Sequence, residues 1–469
     1  MNNLTSQQRK LLYVFGILLL LVPIVYLGLP GSANFKGKLA DLRTKYELGE
    51  ASLGNVDPAS ATMNLVLLGM RGVAVNVLWQ QAIEQKEHKQ WGELRSTVDS
   101  IVLLQPHFRQ VWEFQGWNLA YNVSAEWDGV ADRFHWVKEG AKFLKEGTER
   151  NKKYSELYWE TGRVIGPKIG RSDEWKLFRK FFLHDPDNPS YKHDFPPDSP
   201  ENADVLPDQE LNPEQEDNYL VSKKWSTDAN TVEALPGNRQ KKFDRLIFRS
   251  YPARSQYNYA DALHREGTFN EGSRAAWEQG YKEWTTEYGV DRVESSFNGT
   301  IQLEADDATV QELCDLDALR DDMTEDQRKI YTNFDAKKKA IEFNQNKTNY
   351  RYWRVRGQAE KDKTMEEAHR EIYAARDAYL KQGDLETGLK LIESGMKKMQ
   401  EMLDKLEYTE LQLEDNLQEE CIKAVIVWKS MLEVKRQPLP ENYPLKKMYD
   451  ENPQRVAEFE EIFRNQYGS

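Results

Sequence analysis

Through most of this chain apolar residues recur every three or four positions, the period of a helix with one buried face, and strand-like alternation is scarce. Residues 11–30 (LLYVFGILLLLVPIVYLGLP) break that rhythm: they are apolar on every side and carry no charge. At ~1.5 Å per residue a helix of that length spans ~30 Å, the hydrocarbon thickness of a bilayer. Pro23 inside the run would cost a soluble helix about 3 kcal/mol, whereas membrane helices tolerate proline because neighbouring groups satisfy the freed carbonyl. The pattern therefore predicts an all-α protein with a single N-terminal transmembrane helix (residues 1–35) and a helical body. The alternative is a cleaved signal peptide with Gly31, Ser32 and Ala33 at its site. The run exceeds the usual ~7–15 residue signal core, which favours retention. Arg9 and Lys10 precede the run, and Lys36, Lys38, Arg43 and Lys45 follow it. That count favours a cytoplasmic body, but long domains often translocate regardless of charge, and the expected placement is extracytoplasmic at the cell membrane.

A polar spacer (36–62) leads into helical repeats over 63–183. The first pair of helices, near 64–86 and 89–104, is closed by Pro106. With Pro106 as the last-turn proline of a tetratricopeptide unit, Leu78, Ala82, Leu94, Val98 and Ile101 fall on packing positions. Trp112 and Gly116 then take the tryptophan and small-residue positions of the next unit, with Leu119 where an aromatic is usual. Small residues let paired helices approach, and bulky ones fill the grooves between them. A looser third pair spans 127–165 and ends at Pro167, and an amphipathic helix follows over 173–183.

Prolines and aspartates over 184–218 predict a linker or an extended surface wrap, because their density forbids helix and central strand. A second helical block occupies 219–300, with Asn298-Gly299 predicted to turn a short hairpin. An acidic segment and connecting helix fill 301–350, where Thr324 and Gln327 form a capping box for a helix through about 344. The last part, 351–469, matches a repeat over 371–399 (Ile372, Ala375, Tyr379, Gly388, Ile392 and Gly395, with Gly383 at the turn). From Leu385 to Leu406 apolar residues alternate four and three apart, a heptad seam packed within this chain or shared in self-association.

Several segments together resemble an uncharacterised family of membrane-anchored, tetratricopeptide-like proteins from planctomycete and related bacteria. They are MRGVAVNVLW after Gly69, LQPHFRQVWEFQGWNLAYNVS from Leu104, ELYWETGRVIGPKIGRSDEW from Glu156, DNYLVSKKW from Asp217 and YPARSQYNYADALHREG from Tyr251. The resemblance covers most of the chain to about Leu303. It implies bacterial origin, a membrane anchor and an α-solenoid body, and it implies no reaction.

A net charge of −13 with both signs interleaved argues against nucleic acid as a partner, since phosphate binding needs clustered lysine and arginine. The two cysteines, Cys314 and Cys421, lie far apart and outside any C-x-x-C, so zinc, haem and disulfide frameworks lack support. No phosphate loop, H-E-x-x-H or G-x-S-x-G is present. Of seven histidines only His184 and His193 have several carboxylates close by, and linker aspartates ordinarily face water. No catalytic, cofactor or metal residue is assigned. Aromatic residues crowd positions 112–159, where repeats bury such side chains between helices, although a concave solenoid face would also use them to anchor a peptide. Trp117, Asn118, Tyr121, Asn122 and Arg163 are the candidate partner-binding residues. The expected function is a non-catalytic interaction or assembly scaffold at the bacterial envelope, with unknown protein partners. The rivals are a self-assembling envelope element and an enzyme with a dispersed site, which a deep pocket of convergent charged groups would favour.

Overall fold

Short connections set the architecture. The computed structural model describes residues 71–467 apart from 239, 241, 296–298 and 406–414, together with 14–16 and 19. The anchor expected over 11–30 lies outside the described residues except at those last four positions, and the spacer lies outside them entirely. Among the described residues no helix is long and apolar enough to cross a membrane. The structure is mostly helical. The described residues divide into two compact units, one made chiefly of 71–128 and 136–161, the other of 162–231 and 240–467 with 129–135.

In the first unit α1 (Arg71–Glu87) and α2 (Trp91–Leu104) are joined by a three-residue turn in which Lys89 adopts a positive φ of 55°. So short a link makes the two helices antiparallel neighbours. Val75, Ala82, Leu94, Val98 and Ile101 are buried, with Leu78 packed against them. The Gln105 N–H closes α2 on the Ile101 carbonyl, just before Pro106. In α3 (Arg109–Trp117) Trp112 is fully buried, and its indole N–H donates to the Pro106 carbonyl at 2.8 Å. Asn151 donates to the same oxygen at 3.0 Å. A Cβ on Gly140 of α4 (Val130–Arg150) would sit 2.7 Å from the Gly116 carbonyl, so the small residues mark where these backbones meet.

The second unit takes up the chain within α5 (Ser155–Arg163), whose end widens into a π-helical turn, Val164–Lys168. Pro167 there has no N–H, and Ser222 Oγ donates to the Gly162 carbonyl at 2.7 Å in its place. After α6 (Trp175–Leu183) the proline-rich residues 184–217 form neither helix nor strand. Buried asparagines organise them. Asn202 accepts from the Lys192 N–H and donates to the carbonyls of Lys192 and Pro196, and Asn212 donates to those of Phe182 and Glu216. Side-chain amides thus replace backbone hydrogen bonds that proline cannot make.

Next come α7 (Asn218–Ala234), α8 (Arg245–Arg249), α9 (Tyr251–Arg265) and α10 (Glu271–Glu283). The expected hairpin is present as β1 (Val293–Ser295) paired antiparallel to β2 (Gly299–Ile301), with Gly299 at φ 68°. Lys337 and Asp317, both fully buried, pair at 2.6 Å, and Asp317 also accepts from the Thr300 N–H and hydroxyl. This network ties β2 to α11 (Asp307–Ala318) and α13 (Phe334–Lys347).

The Thr324–Gln327 capping box opens α12 (Glu325–Tyr331) as the sequence indicates. The helix does not run on to 344, however. It stops at Thr332, and the Asn333 side chain accepts from the Ala336 N–H to start α13. A local asparagine cap outcompetes one continuous helix.

The last core joins α14 (Tyr350–Glu360), α15 (Lys363–Leu380), α16 (Leu385–Lys405) and α17 (Asp415–Lys435), followed by α18 (Lys446–Glu451) and α19 (Pro453–Tyr467). Gly383, at φ 71°, turns α15 into α16. Of the heptad seam, Ile392, Met396, Met399 and Leu403 are buried in this chain's own core with Leu385 and Leu389 against them, while Leu406 lies outside the described residues.

Candidate functional site

The second unit encloses an open cavity of about 410 Å³ lined by residues of α6, α9, α14, α15 and α17. Helix ends place its chemistry. Asp261, His264 and Arg265 occupy the last turns of α9, after which Gly267, at φ 82°, reverses the chain to bring Phe269 back against His264. An Asn270–Ser273 capping box then starts α10, whose Trp277 is fully buried. Arg356 and Glu360 are one turn apart at the end of α14. Asp362 caps α15 through the Thr364 N–H, so Glu360 and His369 face each other across a tight corner.

His369 is the centre of the cluster. Its Nε2 lies 3.0 Å from Glu360 Oε2, and its Nδ1 lies 2.8 Å from both carboxylate oxygens of Glu420 on α17. Burial on its own would lower the proton affinity of this ring. The flanking carboxylates of Glu420 and Glu360 overcome that and hold it well above the ordinary histidine range. His369 is therefore an imidazolium donating from both nitrogens. Burial likewise opposes ionisation of Glu360, but the His369 charge and hydrogen bond, with His264 and Arg356 beyond, pull its carboxyl down to about 2.

His264 takes the opposite state. Burial lowers its proton affinity to about 4, only partly countered by Glu360. The Trp277 indole N–H points at its Nε2 from 3.2 Å, so Nε2 accepts and the ring proton sits on Nδ1, 3.9 Å from Glu360 Oε2. Arg356 donates to Asp261 at 2.6 Å and lies over the Trp277 ring at 5.0 Å. Phe269 stacks on His369, with centroids 5.7 Å apart.

His264, Glu360 and His369 each offer a ligand atom within 4.8 Å of the others, a set able in principle to hold a metal ion. Coordination would have to replace the contacts of His369 with Glu360 and Glu420, and a metal on His264 Nδ1 would put that ring's proton on Nε2, facing the Trp277 N–H. As arranged, the cluster is already a satisfied donor–acceptor set.

The residues singled out in the sequence lie elsewhere. Trp117, 36% exposed, stacks on Tyr121 at 5.5 Å with Lys86 over its ring. Asn118 is buried in the π-helical turn Asn118–Val123, where its side-chain Oδ1 accepts from Asn122 Nδ2 at 2.7 Å. Arg163 is half-buried and belongs to the other unit. Thus Trp117 presents surface, whereas Asn118 is buried and its side-chain nitrogen has no hydrogen-bond partner among the described residues. His184 Nδ1 lies 3.0 Å from the Val205 carbonyl oxygen, and His193 packs edge-on to Tyr191.

Sequence reasoning missed His264, Glu360, His369 and Glu420, the last two being 51 residues apart. A signal existed: His369 occupies the buried register of α15 set by Met365, Ala368 and Ile372, where an ionisable ring requires partners.

Among known proteins no family model, curated sequence or solved structure matches this chain.

Proposed function

We propose that this protein is a membrane-tethered helical scaffold, a non-catalytic interaction protein of the bacterial envelope related to tetratricopeptide-like solenoids. The carrying observation is the uncharged apolar run at residues 11–30 set before a large helical body. Tethering confines the body to two dimensions and raises its effective concentration near other envelope components, so modest contacts suffice. The half-exposed Trp117–Tyr121 stack beside Lys86 supplies a rigid aromatic anchor of the sort that dominates interfaces. Protein partners engage that stack, nucleic acid does not, and the body lies on the extracytoplasmic side.

Proximity labelling from the full chain in intact cells tests this reading. Envelope proteins are the expected neighbours, and Trp117→Ala with Tyr121→Ala should deplete a subset of them while leaving expression unchanged. Exclusively cytosolic neighbours, or a pattern indifferent to both substitutions, would remove it.

A second reading is favoured by the cavity, because convergent charged groups around a recess are what a small-molecule site requires.

A further inference from the structure

The charges around this cavity do not balance. Its carboxylates are all accounted for within the protein: Asp261 by Arg356 and Arg265, Glu419 by Lys423, and Glu360 with Glu420 by the shared His369. Arg376, on α15 one turn beyond Ile372, lines the same cavity yet has no carboxylate, hydroxyl or carbonyl partner among the described residues. Its Nε is shut off from solvent without a hydrogen bond, although a guanidinium carries five donors in a fixed fork. The residue is only partly buried, so the terminal N–H groups of the fork, and not the enclosed Nε, are what an oxyanion entering the cavity would meet.

The remaining wall is aromatic. Tyr373 is 41% exposed and lies 5.6 Å from Phe269, and Trp175 lines the cavity under the Arg265 guanidinium at 4.6 Å. A cation fork beside flat apolar faces, in a volume of about 410 Å³, is suited to a ligand with the complementary halves. A divalent cation is the competing occupant, and the arginine at the wall of the cavity disfavours it, since a second positive charge would share the space.

We infer that this cavity binds a small organic anion, a planar apolar body bearing a carboxylate or phosphate, with the oxyanion on the Arg376 fork and the flat part against Phe269 and Tyr373. His369 with its two carboxylates forms a rigid charged floor that positions α14, α15 and α17 around the site. Binding involves no covalent step.

Titration calorimetry on the full chain in detergent, with benzoate, phenyl phosphate and the uncharged benzamide as probes, tests the assignment. Saturable binding of benzoate or phenyl phosphate, with benzamide at least about tenfold weaker, is expected, and the tighter of the two anions identifies the head group. Arg376→Gln should weaken the anion about tenfold or more, and Arg376→Lys, which keeps the charge and loses the fork, by a smaller factor. Melting curves of both variants report that the fold is kept, and the lysine variant carries the test if the glutamine one unfolds. Equal affinity for benzamide, unchanged binding in both variants, or no saturable binding of any probe would overturn the assignment. So would saturable zinc binding that His369→Gln abolishes.

Discussion

Two histidines 5.2 Å apart hold opposite protonation states because burial disfavours the charge on both, and only His369 has two carboxylates in direct contact to overcome it. Their effects on stability have opposite signs. His369, raised above its unfolded value of about 6.5, contributes stability that is complete below that pH and is lost as pH rises through its folded value. His264, lowered to about 4 by burial, is penalised when acid charges it in the unfolded chain. Between about 6.5 and about 4 the unfolded state binds the extra proton, so stability falls with acidification. Glu360, held at about 2, adds to that fall below about 4.3, again because the unfolded chain takes up the proton first. The groups facing the pair include Asp261, Arg356 and Glu420 as well. Urea midpoints measured across pH should thus peak near neutrality. His264→Gln should flatten the limb between about 6.5 and about 4, and a limb of unchanged steepness would show that His264 is charged in the folded protein.

At the scale of elements, helix pairs are held close by glycine, and two glycines should respond differently to the same substitution. A Cβ on Gly395 of α16 would lie 2.9 Å from Ile372 Cγ1 and 3.1 Å from the Ala368 carbonyl, so α15 and α16 must part. Overpacking of this sort costs about 1–3 kcal/mol, against a helix-propensity gain of at most about 1 kcal/mol. Gly92, in the first turn of α2, has nothing within 4 Å of its Cβ position. Gly395→Ala is therefore expected to lower the melting temperature and Gly92→Ala to leave it unchanged or raise it. A stabilised Gly395→Ala would mean that the two helices are not in contact there. The α15–α16 pair was legible beforehand, because Ile372, Ala375, Gly388, Ile392 and Gly395 carry its packing in their spacing alone. The π-helical turns at Asn118–Val123, Val164–Lys168 and Trp284–Tyr288 were not, since the extra residue in each is accommodated by tertiary partners such as Ser222. Nor was the break at Thr332, where one asparagine cap decides between a long helix and two short ones.

For the molecule as a whole, periodicity conveyed helices and their buried faces, while the cavity depended on which faces meet. His264, Glu360, His369 and Glu420 come from four helices, and no local pattern relates α9 to α17. The apolar run at residues 11–30 is the reverse case: the proposed membrane anchor rests on a local pattern alone, an uncharged stretch as long as a bilayer's hydrocarbon core is thick. Carbonate-washed membranes should retain the wild-type chain and release it only with detergent. Replacing Leu19 and Leu20 by arginine places two charges near the middle of the run, each costing about 2.5–3.5 kcal/mol to insert, which outweighs the gain from the leucines lost. The double variant should appear in the soluble fraction at full length. If the run were instead a cleaved signal, the wild-type chain would be recovered without detergent and shorter by about thirty residues, with a new N-terminus near Gly31, Ser32 or Ala33. Mass determination of the mature N-terminus separates these outcomes, and a trimmed, freely soluble chain would remove the tether on which the scaffold depends.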